Sequence, residues 1–254
     1  MIRFYLIQTE LAWEDPEANR LHFDGLLTEC SDGVIVLPEM FTTGFSMAST
    51  RLAESMEDET VQWMRSTASS LNSVVCGSQI IRSSNQYFNR FLWVDSGGQV
   101  IYYDKRHLFR MASEHDHYSP GQHRVTLNAG EENILLQVCY DLRFPAFSRN
   151  RGDYDIMLFI ANWPSARREQ WLTLLKARAI ENQSYVVAVN RIGKDDNKVN
   201  YAGDSCVIDF RGQVLLEMGD TDSISQIELA LSALRDYRQA FPAHLDADEF
   251  DIHL

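Results

Sequence analysis

Short apolar runs of strand length recur along the chain, each closed by polar residues. They fall at 3–8 (RFYLIQ), 33–39 (GVIVLPE), 73–81 (SVVCGSQII), 89–95 (NRFLWVD), 99–105 (QVIYYDK), 133–139 (NILLQVC), 154–163 (YDIMLFIANW), 184–192 (SYVVAVNRI), 204–210 (DSCVIDF) and 213–218 (QVLLEM). Their richness in β-branched and aromatic residues predicts strands. Gly97-Gly98 and Arg211-Gly212 stand between neighbouring runs, where hairpin turns need them. Helical spacing fills residues 16–29, 57–72, 166–183 and 232–240; in the third, Trp171, Leu174, Leu175 and Ala179 share one apolar face. Strands outnumber helices, yet helices recur throughout, which predicts a layered α/β fold with sheet packed on sheet and helices on the outer faces. No linker, low-complexity tract or internal repeat interrupts the pattern, so the expectation is a single domain over residues 1–254.

Composition narrows the partners. At 254 residues and 45% hydrophobic, the chain can bury a large core, and its net charge is −13. Lys and Arg are scattered, which argues against both a phosphate-tracking nucleic-acid surface and an anionic membrane surface. The first twenty residues lack the basic-then-apolar order of a secretory signal, and no stretch approaches the ~20 apolar residues of a spanning helix. The expected location is therefore cytoplasmic. Cys30, Cys76, Cys139 and Cys206 form no C-x-x-C pair, so free thiols in a reducing compartment are expected rather than zinc or a redox motif.

The stretch LLQVCYDLRFP turns polar abruptly at Cys139, with Asp141 and Arg143 beside it and Pro145 placed to open a short helix. A cysteine ending a strand is commonly a small core residue. Here it would instead sit at a strand-to-helix turn, where backbone N–H groups and the helix dipole lower a thiol pKa. A thiol nucleophile needs a base, and among seven histidines His107 and His117 are candidates. Two further strands stop on charged residues, VIVLPEMF on Glu39 and IYYDKRHLF on Lys105. Singly, each reads as a solvated strand end; three strands ending on a carboxylate, an amine and a thiol point to a site. EHDH at 114–117 could bind a metal on a strand, but it falls in an expected loop beside Pro120.

The blocks VLPEMFTTGFS, YYDKRHLF and VCYDLRFP, in that order, resemble the nitrilase (carbon–nitrogen hydrolase) superfamily, as do ANWP, KARAIENQSYVVAVNRIG and GDSCVIDFRGQVL further on. The resemblance implies a four-layer α-β-β-α sandwich that pairs as a homodimer, and it calls for no cofactor and no metal. It makes Glu39 the general base, Lys105 the catalytic lysine, Cys139 the nucleophile and Glu114 a supporting glutamate. The finer resemblance, carried by DKRHLFRMASEHDHYSPG and YDIMLFIANWP as well, is to the bacterial omega-amidase branch. That implies a small-molecule omega-amide substrate such as 2-oxoglutaramate or 2-oxosuccinamate, cleaved through a thioester to the 2-oxo dicarboxylate and ammonia. Lys105 and the Tyr140 N–H are then the expected oxyanion donors. An anionic substrate entering a protein of net charge −13 needs a local cation, for which Arg143 is the choice, unless it pairs with Asp141. Trp163 and the Phe41 to Phe45 loop are expected to wall the site. The rival readings are an N-carbamoyl amino acid amidase, a true nitrilase, or a non-catalytic binding protein on the same fold.

Overall fold

The structure, a computed structural model, describes residues 1–252; the last two positions of the domain expected over 1–254 lie outside the described residues. Fourteen strands follow in chain order: β1 (Ile2–Gln8), β2 (Val34–Val36), β3 (Val74–Ser83), β4 (Gln86–Val94), β5 (Val100–Asp104), β6 (Thr126–Ala129), β7 (Glu132–Val138), β8 (Ile156–Ala161), β9 (Tyr185–Asn190), β10 (Ile192–Lys194), β11 (Asn200–Ala202), β12 (Cys206–Ile208), β13 (Val214–Glu217) and β14 (Ser223–Leu229). They build two six-stranded sheets, ordered β14-β1-β2-β3-β4-β5 and β13-β12-β9-β8-β7-β6, with β10 and β11 as a separate hairpin. Each sheet has a parallel centre, β1-β2-β3 in one and β7-β8-β9 in the other, flanked by antiparallel pairs.

Period-two alternation sorts the first sheet into two faces. Phe4, Leu6, Val34, Val36, Phe91 and Trp93 point to the second sheet, while Tyr5, Ile7, Ile35, Leu37, Leu92 and Val94 meet the helices Pro16–Leu26 and Glu59–Ser70 through Phe23, Val61 and Met64. The second sheet is covered by the helix Arg168–Asn182, through Trp171, Leu175 and Ala179, and by Leu231–Ala240. The result is the four-layer α-β-β-α sandwich. Its β8 is buried at every position, as a central parallel strand covered on both faces must be.

The sequence pattern missed β6, the hairpin β10–β11 and β14. β14 (SISQIEL) carries polar residues on its solvent face and lies at a sheet edge, so its apolar content is too low to signal a strand. The two hairpin turns fall where expected, with Gly98 and Gly212 at φ 82° and 81°. Among the described residues no helix is long and apolar enough to cross a membrane.

Chain ends of three strands converge on one rim, and Gly121 locks one of them. Its N–H donates to the Lys105 carbonyl at 2.9 Å, and a Cβ there would lie 2.0 Å from the Asp104 carbonyl oxygen. Replacing Gly121 with Ala must push the backbone after β5 aside. Gly121→Ala should therefore destabilise the fold by about 1–3 kcal/mol, read as a lowered urea midpoint with unchanged slope.

Candidate active site

Glu39 lies in the turn that leaves β2, Lys105 follows β5 directly, and Cys139 follows β7. Two of these are ends of parallel strands, where open α/β sheets place their ligand crevices. Cys139 has φ 44° and opens a 3-10 turn running to Arg143. A β-carbon in the left-handed region costs about 1–2 kcal/mol, so the thiol is held on a strained elbow. Asp141 secures it. This carboxylate is fully buried and accepts from the Val138 N–H at 3.0 Å, the Tyr103 hydroxyl at 2.8 Å and the His107 N–H at 3.0 Å, with the His107 ring Nδ1 at 2.7 Å. Tyr103 and His107 flank Lys105, so one side chain joins the lysine segment to the cysteine segment.

Lys105 is buried between two carboxylates. Its Nζ donates to Glu39 Oε1 at 2.9 Å and to both Glu114 oxygens at 2.9 and 3.0 Å. Asn89 Nδ2 donates to Glu39 Oε1 at 2.7 Å, and the Asn162 N–H to Glu39 Oε2 at 2.8 Å, while Asn162 Nδ2 holds the Glu39 carbonyl at 2.6 Å. Glu114 opens the short helix Glu114–His117 and also accepts from the Phe109 N–H at 2.5 Å. The Phe45 ring covers Lys105 Nζ at 5.1 Å from its centroid. Burial works to lower the Lys105 pKa, but the attraction of Glu114 and Glu39 outweighs it and raises it, so the side chain remains an ammonium. Glu114 is raised, mainly by burial, against the opposing pull of Lys105.

The thiol departs from expectation. Burial, reinforced by the negative charge of the nearby Glu39 carboxylate, pushes Cys139 well above the ordinary thiol range. The turn's first N–H groups do not overcome desolvation and a neighbouring negative charge. Cys30 and Cys206 are likewise raised by burial, to about 11 and about 12. Of the four free cysteines, Cys139 is the one that lines a cavity of about 630 Å³.

Other expected residues divide. Lys105, Tyr140, Arg143 and Trp163 line the same cavity as Cys139. Tyr140 packs edge-on against Phe109 and Phe144, at 5.0 and 5.2 Å. Arg143 does not pair with Asp141; its guanidinium lies over the Trp163 ring at 4.9 Å and bonds the Gln170 side chain. In the Phe41 to Phe45 loop only Phe45 faces the cavity, because Phe41 packs on Phe23 and Trp63 in the outer core. His107 is stacked on Phe144 and turned to Asp141, and His117 is exposed, so neither is a base for Cys139. EHDH forms a helical turn instead of the expected loop, with Glu114 directed at Lys105; among the described residues no group of three His, Cys, Asp or Glu could hold a metal. The sequence offers Asp141 only as a neighbour of Cys139 and Arg143, and gives Asn89 and Asn162 no role. Asn162 interrupts the apolar run FIANW and Asn89 follows Phe88 within β4, and a polar side chain buried in a strand must find a partner.

Residues 6–239 match the Carbon-nitrogen hydrolase family. The chain is 48% identical to omega-amidase YafV of Escherichia coli (strain K12) over 256 residues, covering 99% of this chain and 98% of the relative. It is 34% identical to the 2-oxoglutaramate amidase of Bacillus subtilis (strain 168), covering 84% of each. Among solved structures, the CN-hydrolase superfamily protein XC1258 of Xanthomonas campestris, which carries an arsenic adduct in its active site, superposes with a TM-score of 0.97 at 44% identity over 99% of both chains.

The raised Cys139 pKa is open to titration. In the free protein, the thiolate absorbance difference between wild type and Cys139→Ala should stay flat from neutral pH up to 9.0, the ordinary value, and rise only above it. A thiolate signal already present at neutral pH contradicts this electrostatic account.

Proposed function

The chain belongs to the carbon–nitrogen hydrolase family, and on that premise we propose that it is an omega-amidase cleaving the terminal amide of 2-oxoglutaramate, 2-oxosuccinamate and related dicarboxylic monoamides. The observation that carries the reading is a buried ammonium, Lys105, bonded to Glu39 and Glu114 and lining, together with Cys139, one cavity whose wall bears an arginine. Relatives named omega-amidase and 2-oxoglutaramate amidase favour it over the carbamoylase, nitrilase and non-catalytic alternatives.

The chemistry begins from a neutral thiol. Cys139 Sγ forms a bond to the amide carbon as its proton passes to Glu39, the base of the proposed mechanism. Negative charge thereby moves from Glu39 to the carbonyl oxygen, and Lys105 remains an ammonium throughout. The charge of the buried group is the same before and after this step, so no net charge has to enter a dry site. The Tyr140 N–H, near the start of the 3-10 turn, is the second oxyanion donor, since the first N–H groups of such a turn lack partners within it. Glu39 then gives the proton to nitrogen, the C–N bond breaks, and ammonia leaves a Cys139 thioester. Water attacks as Glu39 takes its proton; the C–S bond breaks, the thiol regains a proton and the acid is released. Glu114 holds Lys105 charged and in place. Asn89 and Asn162 hold the Glu39 carboxylate in place through its two oxygens.

Arg143 is the proposed grip on the distal carboxylate. Its guanidinium is flattened on Trp163 and meets only an uncharged amide, so its charge is free for an anion in the cavity. We also read the active form as a homodimer. Ile180, Val214 and Leu215 are exposed, with Ile180 against the Gly212 turn that precedes the other two, an apolar surface that pairing would cover. The four free cysteines suit a reducing compartment such as the cytoplasm.

Two outcomes test this function. Cys139→Ala should release no ammonia from 2-oxoglutaramate while keeping its thermal midpoint; retained turnover removes the nucleophile assignment. Arg143→Ala should lower kcat/KM for 2-oxoglutaramate by about tenfold to hundredfold, the loss expected for a charged hydrogen bond, and lower it much less for butyramide, which has no carboxylate. Equal losses on both amides remove Arg143 from carboxylate recognition.

A further inference from the structure

A second arginine faces the same cavity. Arg167 closes the short 3-10 turn Ser165–Arg167, and its guanidinium lies over the Phe109 ring at 5.1 Å. Phe109, Arg167, Trp163 and Arg143 all line the cavity that holds Cys139. Trp163 couples the two arginines: its ring carries Arg143, and its indole N–H donates to the Arg167 carbonyl at 2.8 Å.

The charge of Arg167 is uncompensated where its neighbour's is not. Arg168 is clamped by Asp204 through two bonds of 2.7 Å. Neither Arg143 nor Arg167 has a carboxylate within 4.0 Å among the described residues. The one acidic residue lining the cavity, Asp195, is engaged by the Tyr201 hydroxyl at 2.8 Å and the Val199 N–H at 2.9 Å and pairs with neither arginine. In a protein of net charge −13, two unpaired guanidiniums, each resting on an aromatic face of one cavity, exceed what a single carboxylate needs. Resting on an aromatic face also orients a planar guanidinium, so less freedom is lost when it binds.

A 2-oxo acid presents more than a carboxylate. Beside its two carboxylate oxygens stands a carbonyl oxygen on the adjacent carbon, all three acceptors and none a donor. One planar fork grips two oxygens, which leaves the third without a partner. We propose that Arg167 is a specificity-determining residue: it donates to the 2-oxo oxygen while Arg143 holds the carboxylate, so the cavity selects omega-amides of 2-oxo acids over the same amides lacking the oxo group. The inference rests on the omega-amidase reading above and adds the residue that reads the oxo group. A site built to hydrogen-bond a substrate oxygen discriminates against the analogue lacking it, because its own donor is then left unpaired.

The test compares 2-oxoglutaramate with glutaramate, the same chain with a methylene in place of the carbonyl. Wild type should prefer 2-oxoglutaramate in kcat/KM. In Arg167→Ala the ratio of the two kcat/KM values should fall about tenfold to hundredfold, the range expected for a hydrogen bond to a charged group. Arg143→Ala should instead lower both substrates together and leave the ratio near that of wild type. Arg167→Lys, which keeps the charge without the fork, should recover part of the ratio, and a thermal midpoint equal to that of wild type reports that each variant is folded. A ratio unchanged in Arg167→Ala, or a wild type without preference, overturns the role of Arg167 while leaving the omega-amidase reading in place. A wild type that hydrolyses neither substrate defeats that reading and the inference with it.

Discussion

Lys105 carries its charge where water does not reach, and the rest of the site is arranged around that constraint. Stripping an ammonium of solvent costs several kcal/mol in a protein interior. The cost is offset only because Glu39 and Glu114 both lie at hydrogen-bond distance and are themselves held by Asn89, Asn162 and the Phe109 N–H. These groups come from four stretches of chain, at Glu39, at Asn89, at Asn162 and along the segment 105–114. The cluster therefore exists only when both sheets and the 105–121 connection are in place, and its energetics tie the chemistry to the whole sandwich.

The same surroundings explain why Cys139, the proposed nucleophile, rests as a thiol. Burial penalises a thiolate at Cys139 most, and the Glu39 carboxylate adds to the penalty. A neutral thiol is the state such surroundings favour. In the proposed mechanism charge is created only as the substrate carbonyl accepts it, next to Lys105, which concentrates electrostatic help in the transition state rather than on the resting enzyme. The strained φ at Cys139 is consistent with this. Left-handed geometry turns the side chain out of the strand and into the cavity, and Asp141 supplies bonds that hold it there.

Beyond the reacting atoms, the cavity wall reverses the sign of the protein as a whole. Net charge is strongly negative, yet the groups above Cys139 are arginines resting on aromatic rings. Local focusing by such a wall governs what an anionic ligand experiences at short range, since distant surface charges are screened over about 8–10 Å at ordinary salt. This is how an acidic protein can receive an acidic substrate.

Periodicity and punctuation determined much by themselves. Most strands, the long helices, the layered α/β class and the three strand ends at Glu39, Lys105 and Cys139 could be read along the chain, because burial imposes a period on local sequence. Edge strands such as β14 escaped, since a half-solvated strand with polar outward residues carries little hydrophobic signal. Tertiary structure alone decided the partners: that Asp141 bonds Tyr103 and His107 instead of Arg143, that His107 is no base, that Phe41 belongs to the core while Phe45 covers Lys105, and that the thiol pKa rises. Hydrogen bonds and desolvation depend on distances between segments 34 to 123 residues apart. A linear pattern holds the identity of such groups but not their separation, and it is the separation that sets their energies.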